Sequence, residues 1–445
     1  MSEPPPLRRN MRFQFLWLGS VTSELGSSLT GLALPLLILA VTGSAALAGL
    51  TAACRITTGV LVSLPAGVWV DRWDRRRILL CSEAVRAVAL ATLAAAVLAD
   101  RVTMGHIVAV SVTNGAADAF FRPARDAAIR AVVPASQLIT AYAQDEARGH
   151  ATVLAGPPLG GFLFGLGRVV PFAVDAVTYV VSMVCVLLAR VPRRPQNVED
   201  SGKTRMRADI AEAARWLWHR PALRAGLGFS LVANLAANAL LLPVVVLVGS
   251  RGGNPAVTGM VLAGLGLGGL LGAALSAKIG ALLPPGKLML AVVGVFALAV
   301  CATTLPFGPY WPAVPLILAM IAAPALNVVL RVLVATLVPD AMMGRLTSLL
   351  RVATMGLAPL GPLLGGVLAD RAGGVGALLA IGGSLAVCCV LAATSATLRG
   401  LEGAPEAAVP TVPPEPTEST EPAEPAEPTD TTEPAEPDRE PVAER

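Results

Sequence analysis

"GPPLGG" at Gly156–Gly161 and "GPLLGG" at Gly361–Gly366 are two copies of one string, 205 positions apart (361 − 156). Each lies inside a long apolar run. Each also follows a Val-Pro by the same distance: "AVVP" ends at Pro134 and "TLVP" at Pro339, again 205 apart (339 − 134). The same offset carries Gly59 to Gly264 and Gly67 to Gly272. Residues that bend or thin a helix thus recur at a constant spacing. This is the mark of a duplicated unit, and the two halves are expected to share one topology.

Composition states what kind of unit was duplicated. Of 445 residues, 54% are hydrophobic and 14% charged, where soluble domains carry about 25% charged. The mean hydropathy is +0.67. A soluble core cannot hide that much apolar surface, so the chain is a polytopic membrane protein. Only helices and closed barrels can span a bilayer, because every backbone polar group must be satisfied within the protein. Period-2 alternation is absent, which leaves an all-α polytopic fold with helices of roughly 20 apolar residues. Apolar runs separated by charge, Pro or Gly give twelve transmembrane spans: 12–41, 46–69, 78–99, 103–123, 138–166, 170–190, 222–249, 256–281, 286–304, 312–338, 345–369 and 374–398. They divide into a half at 12–190 and a half at 222–398, two six-helix pseudo-repeats with the fifth span matching the eleventh and the second matching the eighth. Transporters are commonly built from such repeats, with the substrate site near the midplane between them.

The remaining segments are polar. Residues 1–11 form a short N-terminus. The linker 191–221 contains "RADIAEAARWLWHR", where Ile210, Ala214 and Leu217 share one helical face and Trp216 and Trp218 suit a membrane interface. From 399 to 445 the chain is acidic and rich in Pro, Glu and Thr, with almost nothing to bury, and is expected to be a disordered tail. Arg8, Arg9 and Arg12, then Arg72, Arg75, Arg76 and Arg77, then the basic linker alternate with loops that hold single charges. By the positive-inside bias both termini are cytoplasmic, in a plasma (inner) membrane. No cleavable signal peptide is visible. The six cysteines fall in apolar segments without metal-ligand spacing, and there are only three histidines. Neither a disulfide framework, a metal site nor a nucleophile–base constellation is indicated. There is no G-x-x-x-x-G-K-[ST] phosphate loop, so ATP is not the direct energy source.

"GVWVDRWDRR", Gly67–Arg76, resembles the loop signature of the major facilitator superfamily, G-x-x-x-D-R-x-G-R-[RK]. Gly67, Asp71, Arg72, Arg75 and Arg76 match, and Asp74 stands where the family has glycine. The resemblance, with the twelve spans, covers residues 12–398. It implies that Asp71 braces the start of the eleventh helix, near Gly344–Thr347, and holds the cytoplasmic side closed, a place where the helix dipole favours a carboxylate. The arginines would then pair with acids such as Asp118 or with lipid phosphates. The plainer reading is a positive loop that only fixes topology. "GPPLGG" resembles the family's antiporter signature, which implies export: Pro157 and Pro362 remove a backbone donor, while Gly156, Gly160, Gly161, Gly361, Gly365 and Gly366 admit a neighbouring helix. Packing without transport meaning is the alternative. "AFFRPARDAAIRAVVP" (Ala119–Pro134) and "GRLTSLLRVATMGLAPLGPLLGG" (Gly344–Gly366) look like the branch of macrolide-efflux proteins and enterobactin exporters.

Charges inside the membrane are functional candidates by default. Glu24 lies roughly 18 Å into the first span and Arg55 roughly 21 Å into the second, by the 1.5 Å rise per residue. At similar depth on adjacent helices they are expected to face each other, as a proton-coupling pair or as a static one. Asp118, with Asn114 one turn before and Arg122 one turn after, is a second candidate, for a structural or gating role ahead of proton carriage. Asp145, Glu146, Arg148 and Asp175 read as solvated helix starts. Asn234, Asn238, Asn327 and Arg331 lie on spans that line the cavity in this superfamily and would orient a polar group of the substrate, or simply tie helices together. Gly264, Gly268 and Gly272 read as close helix packing. Together these features describe a monomeric secondary exporter of small amphiphilic compounds. It would use the proton gradient, no cofactor and no nucleic acid, and would partner with substrate and lipid. An importer or uniporter of the same fold, and a non-transporting scaffold or sensor, stay open.

Overall fold

The computed structural model describes residues 6–192, 215–321, 323, 324, 327, 346, 349 and 353–394. The linker from 193 to 214, the acidic tail, Arg331 and most of Gly344–Thr347 lie outside the described residues. Inside them every regular element is helical. The long helices are α1 (Met11–Thr42), α2 (Ala45–Arg72), α3 (Arg75–Leu98), α4 (Met104–Val132), α5 (Leu138–Leu166), α6 (Val170–Ala189), α7 (Pro221–Ala239), α8 (Leu241–Ser250), α9 (Pro255–Gly280), α10 (Pro285–Ala302) and α11 (Leu360–Thr394). Seven helices among the described residues are long and apolar enough to cross a membrane.

Local chemistry sets the breaks. Asn10, Ser44, Asp74 and Thr103 cap α1 to α4, each accepting from a backbone N–H of the first turn at 2.9–3.3 Å. Asp74 explains its own departure from the signature. The turn holds it at φ −64°, where no glycine is needed, and its carboxylate accepts the Arg76 N–H to start α3. Gly43 ends α1 at φ +71°, the left-handed region that suits glycine. The seventh expected span is two helices, α7 and α8, meeting at Leu240 just before Pro243, whose ring removes a backbone donor. The last two expected spans run into one another as α11, broken only at Gly373 with φ +67°.

In the first half α1 packs on α5 and α6, α3 on α4 and α6, and α2 on α4. The second half has its own apolar core, drawn from α7 to α11 and the residues around Leu316. Glycine sets both packings. Gly59 of α2 faces Gly115 of α4, and its repeat partner Gly264 of α9 faces Ala313. Gly268 and Gly272 continue that stripe against Ile317 and Ile321, so the four-residue spacing is close helix packing.

The halves meet through α2 against α11 and α5 against α9, and the repeated string builds both contacts. Gly156 and Gly160 press on Ser28 and Leu29 of α1, while Gly361 and Gly365 press on Asn238 and Ala239 of α7. The last glycine of each copy crosses to the other half. A Cβ on Gly161 would fall on the carbonyl of Pro255 at the start of α9, and one on Gly366 would fall on the carbonyl of Ala45 at the start of α2. Gly49 and Gly259 return the contact, against Pro362 and Pro157. These approaches lie at the end of the bundle that holds the α1–α2 turn. Further along, Gly266 still meets Leu154, but Gly269 has nothing within 4 Å.

One carboxylate locks this end. Asp370 of α11 accepts from Ser44 Oγ at 2.6 Å and from the backbone N–H groups of Ala45 at 2.5 Å and Ala46 at 3.0 Å. A side chain of the second half thus caps a helix of the first, where the dipole favours an anion. Asp370→Ala removes all three bonds, and loss of a cap costs about 0.5–2 kcal/mol. A cysteine introduced by Ala46→Cys should then react several-fold faster with a membrane-impermeant maleimide, and Gly366→Ala should act in the same direction. Unchanged labelling in both would show that neither feature holds this end closed.

Candidate transport site

The polar residues of α1 occupy one stripe. Ser23, Ser27 and Thr30 are spaced by four and three, which puts them on one helical face, and each meets a buried partner. Ser23 Oγ donates to Glu83 of α3 at 3.3 Å, and Ser182 of α6 donates to the other carboxylate oxygen at 2.7 Å. Ser27 bonds the Tyr179 hydroxyl at 2.9 Å, and Thr30 donates to Asp175 at 2.5 Å. One turn along α3 from Glu83, the Arg86 guanidinium lies over the rings of Phe121 and Tyr179. It pairs with Asp118 of α4 at 2.8 Å, and Arg122 completes the group by pairing with Asp118 at 2.9 Å. Glu83 is fully buried and Arg86 nearly so. Charges at this depth persist only when paired or hydrogen-bonded.

Glu24 leaves the stripe sideways. It pairs with Arg148 of α5, whose guanidinium also reaches Asp145 at 2.8 Å and the Ser20 carbonyl at 3.3 Å. Asp145 in turn meets Arg125 at 3.2 Å, and Arg125 meets Asp126 at 3.2 Å. The result is a chain of alternating charge across α1, α4 and α5. Beside it runs a groove of about 510 Å³ lined by Trp17, Val21, Leu25, Ala151 and Ala155. The face of α1 that carries Trp17, Val21 and Leu25 continues to Leu32 and Leu36, which pack into the core of the second half. The groove therefore faces across the boundary between the halves.

These positions correct three expectations. Glu24 does not pair with Arg55: its depth on α1 matches, but its direction is toward α5. Arg148 and Asp145 are not solvated; α5 begins at Leu138, so Arg148 is nearly three turns in and 4% exposed. Only Glu146 is solvated. Asp175 is not a solvated helix start, since α1 covers it completely. Sequence reasoning misses Glu83 and Arg86, although two charges one turn apart inside an apolar span are the same signal that singles out Glu24.

Arg55 lines a cavity of about 110 Å³ with Asn114, Asp175 and Tyr179. Asn114 donates its amide to the Val110 carbonyl of its own helix. The expected pair of Asp118 with Arg122 is present. A second cavity of about 110 Å³ lies in the other half, lined by Asn234, Asn327, Ser230 and Phe296. Asn238 bonds Asn234 within α7 and seats its Cβ against Gly361. In the loop signature, Arg75 donates to the Ala127 carbonyl and Arg76 to that of Leu187, both at 3.3 Å. These bonds tie the loop to α4 and α6. The side chains of Asp71 and Arg72 and the surroundings of Gly67 lie outside what the structure describes. Among the described residues no cluster of metal-ligating side chains forms.

The chain resembles known proteins along almost its whole length. A family model described as transmembrane secretion effector matches residues 1–421. The multidrug efflux pump Tap of Mycolicibacterium fortuitum is 26% identical over 371 residues, covering 80% of this chain and 88% of that one. Macrolide efflux protein A of Streptococcus pyogenes is 22% identical over 190 residues, 42% of this chain and 47% of that one. In fold, a bacterial homologue of the human lysosomal transporter Spinster, inward-facing and unoccupied, matches with a TM-score of 0.68 at 16% identity. It covers 90% of this chain and 98% of that one. The nucleoside transporter NupG, as its D323A mutant, matches with a TM-score of 0.67 at 14% identity, covering 88% and 99%. The chain is a multi-pass membrane transporter, not an enzyme, and it belongs to the transmembrane secretion effector family of the major facilitator superfamily.

Proposed function

We propose that the protein exports small amphiphilic compounds, drugs or antibiotic-like molecules, by alternating access coupled to inward proton flow across the plasma membrane. The observation that carries this reading is the groove between α1 and α5: an apolar wall with the Glu24–Arg148 pair at its edge, facing the other half. Amphiphiles need that combination, an apolar surface for the body and a few placed polar groups for the head. The efflux relatives supply the direction, and the resemblance of both proline–glycine strings to an antiporter signature supports it. With basic segments inside, the end locked by Asp370 is extracellular and the groove opens to the cytoplasm. Closing the groove while opening the locked end carries a bound molecule outward.

Proton coupling is supported by the number of carboxylates held inside the first half, Glu24, Glu83, Asp118 and Asp175, on helices that move with it. In everted membrane vesicles, uptake of erythromycin, tetracycline or ethidium should collapse when a protonophore is added. Glu24→Gln takes one of the two acids that balance Arg148 at the groove wall and should lower uptake of the cationic probe about tenfold or more. Protonophore-resistant uptake would remove the antiport reading and leave a facilitated exporter.

The buried charges also predict stability. Arg86→Ala leaves Asp118 with Arg122 alone and takes the neighbouring cation from the buried Glu83, and should cost about 3–5 kcal/mol, the usual scale for breaking a buried pair from one side. Glu83→Gln keeps an oxygen for one serine donor, offers its amide N–H to the other hydroxyl, and leaves Arg86 with Asp118, so it should cost far less. Thermal unfolding of the purified chain in detergent separates the two, and equal melting temperatures would show that Arg86 is not the hub of this network.

A further inference from the structure

We propose that Asp175 carries the exchanged proton and that Arg55 is the charge that displaces it. This rests on the antiport reading above and names its site. Asp175 is fully buried, and its carboxylate is held only by hydroxyls, those of Thr30 at 2.5 Å and Thr178 at 3.2 Å. Among the described residues it makes no ion pair. Gly26 of α1 makes the room: a Cβ there would occupy the place of the carboxylate itself. A carboxylate buried this way must be compensated by a proton or by a cation that reaches it.

The cation stands across a cavity. Arg55 and Asp175 line the same space of about 110 Å³, and Arg55 donates to no described residue. The other buried charges are already committed. Arg86 is held by Asp118, and Arg148 by Glu24 and Asp145. Glu83 is already held by two serine hydroxyls, one on each carboxylate oxygen. The polar groups around Asp175 are Ser27 and Thr30 from α1, Arg55 from α2, Ser111 and Asn114 from α4, and Thr178 and Tyr179 from α6, with Arg86 of α3 against the Tyr179 ring. Of these, Arg55 is the charged group that makes no ion pair among the described residues and lines the cavity it shares with Asp175.

The step conserves charge. With the carboxyl protonated, Arg55 remains in the cavity. When Arg55 crosses to Asp175, the carboxyl O–H gives its proton to water entering the cavity and the carboxylate pairs with the guanidinium. The trigger lies on the same helix. Ten residues before Arg55, α2 is held by Gly366 and Asp370 of the other half. The Arg55 backbone itself is pressed on Gly115 of α4. Release of the far end thus changes the strain on α2 while its middle stays put, and the side chain is what moves.

The test uses the full chain in lipid. In infrared difference spectra between acid and alkaline pH, the wild type should show a protonated-carboxyl C=O band. Asp175→Asn should remove that band, and Glu83→Gln should keep it. In proteoliposomes loaded with ethidium, Asp175→Asn should retain ethidium–ethidium exchange but lose uphill transport driven by a pH gradient. Arg55→Gln should lower driven transport about tenfold alone and add less than about twofold in the Asp175→Asn background, the non-additivity expected of residues acting on one step. A band that survives Asp175→Asn, or gradient-driven transport that survives it, overturns the assignment while antiport stands. A wild type whose transport ignores the pH gradient overturns antiport, and this proposal with it. If Asp175→Asn does not fold, Thr30→Val, which removes a hydroxyl bonded to the same carboxylate, should shift the band, and an unshifted band overturns the assignment.

Discussion

Everything in this structure is arranged around a backbone-to-backbone approach at one end of the bundle. At Gly161 and Gly366 the chain comes so close to the carbonyls of Pro255 and Ala45 that a single methyl group would not fit. Such contacts gain little hydrophobic energy in lipid, where apolar surface has no water to escape, and rest on close packing instead. Around Gly366 the buried apolar side chains shared by the halves are small, Ala45 against Ala369 and Ala377, so little has to be repacked for that end to part. The Asp370 cap adds a directional bond to it.

Duplication gave both halves this joint but not the same interior. Among the described residues the buried charges lie in the first half, while the core of the second is built from Leu, Val, Ala and Phe with asparagines at the edge of one small cavity. Each buried charge costs several kcal/mol unless it is paired, so retaining Glu83, Arg86, Arg148 and Asp175 together requires the dense set of partners that α1, α3, α4, α5 and α6 provide. Such a concentration of charge on one side of a pseudo-symmetric fold points to different duties for the halves, with the first handling charge.

Much of the architecture was legible in the residues. The repeated string marks the two halves and the places where they touch, because a glycine beside a proline in an apolar run has few uses other than a bend and a close approach. Capping residues mark the helix starts. The failures have one physical cause. Counting residues along a helix gives depth, and depth puts Glu24 beside Arg55; the direction a side chain faces depends on how the helix is rotated, which neighbours decide. Asp175 and Arg148 fail for the complementary reason. Each lies within three turns of its helix start, and only the covering helix, α1 in both cases, removes them from water. Glu83 and Arg86 needed no structure at all, since the rule applied to Glu24 applies equally to them. The asparagines stay between the two readings given for them: Asn238 ties α7 and packs on Gly361, while Asn234 and Asn327 do line a cavity.

The two charge networks meet on α1. Ser23 belongs to the Glu83 group and Glu24, its neighbour, to the Arg148 group, so they point about 100° apart around one helix turn. Ser20 contributes its carbonyl to Arg148, and Thr30 holds Asp175. A rigid helix cannot rotate or slide to suit one side without disturbing the other. If the groove beside Glu24 takes the exported molecule and Asp175 takes the proton, no separate relay between the sites is needed, because α1 is a wall of both. Coupling then becomes a question of which arrangements of α1 satisfy both sets of partners at once. The covered, fully hydrogen-bonded stripe from Ser23 to Thr30 allows few.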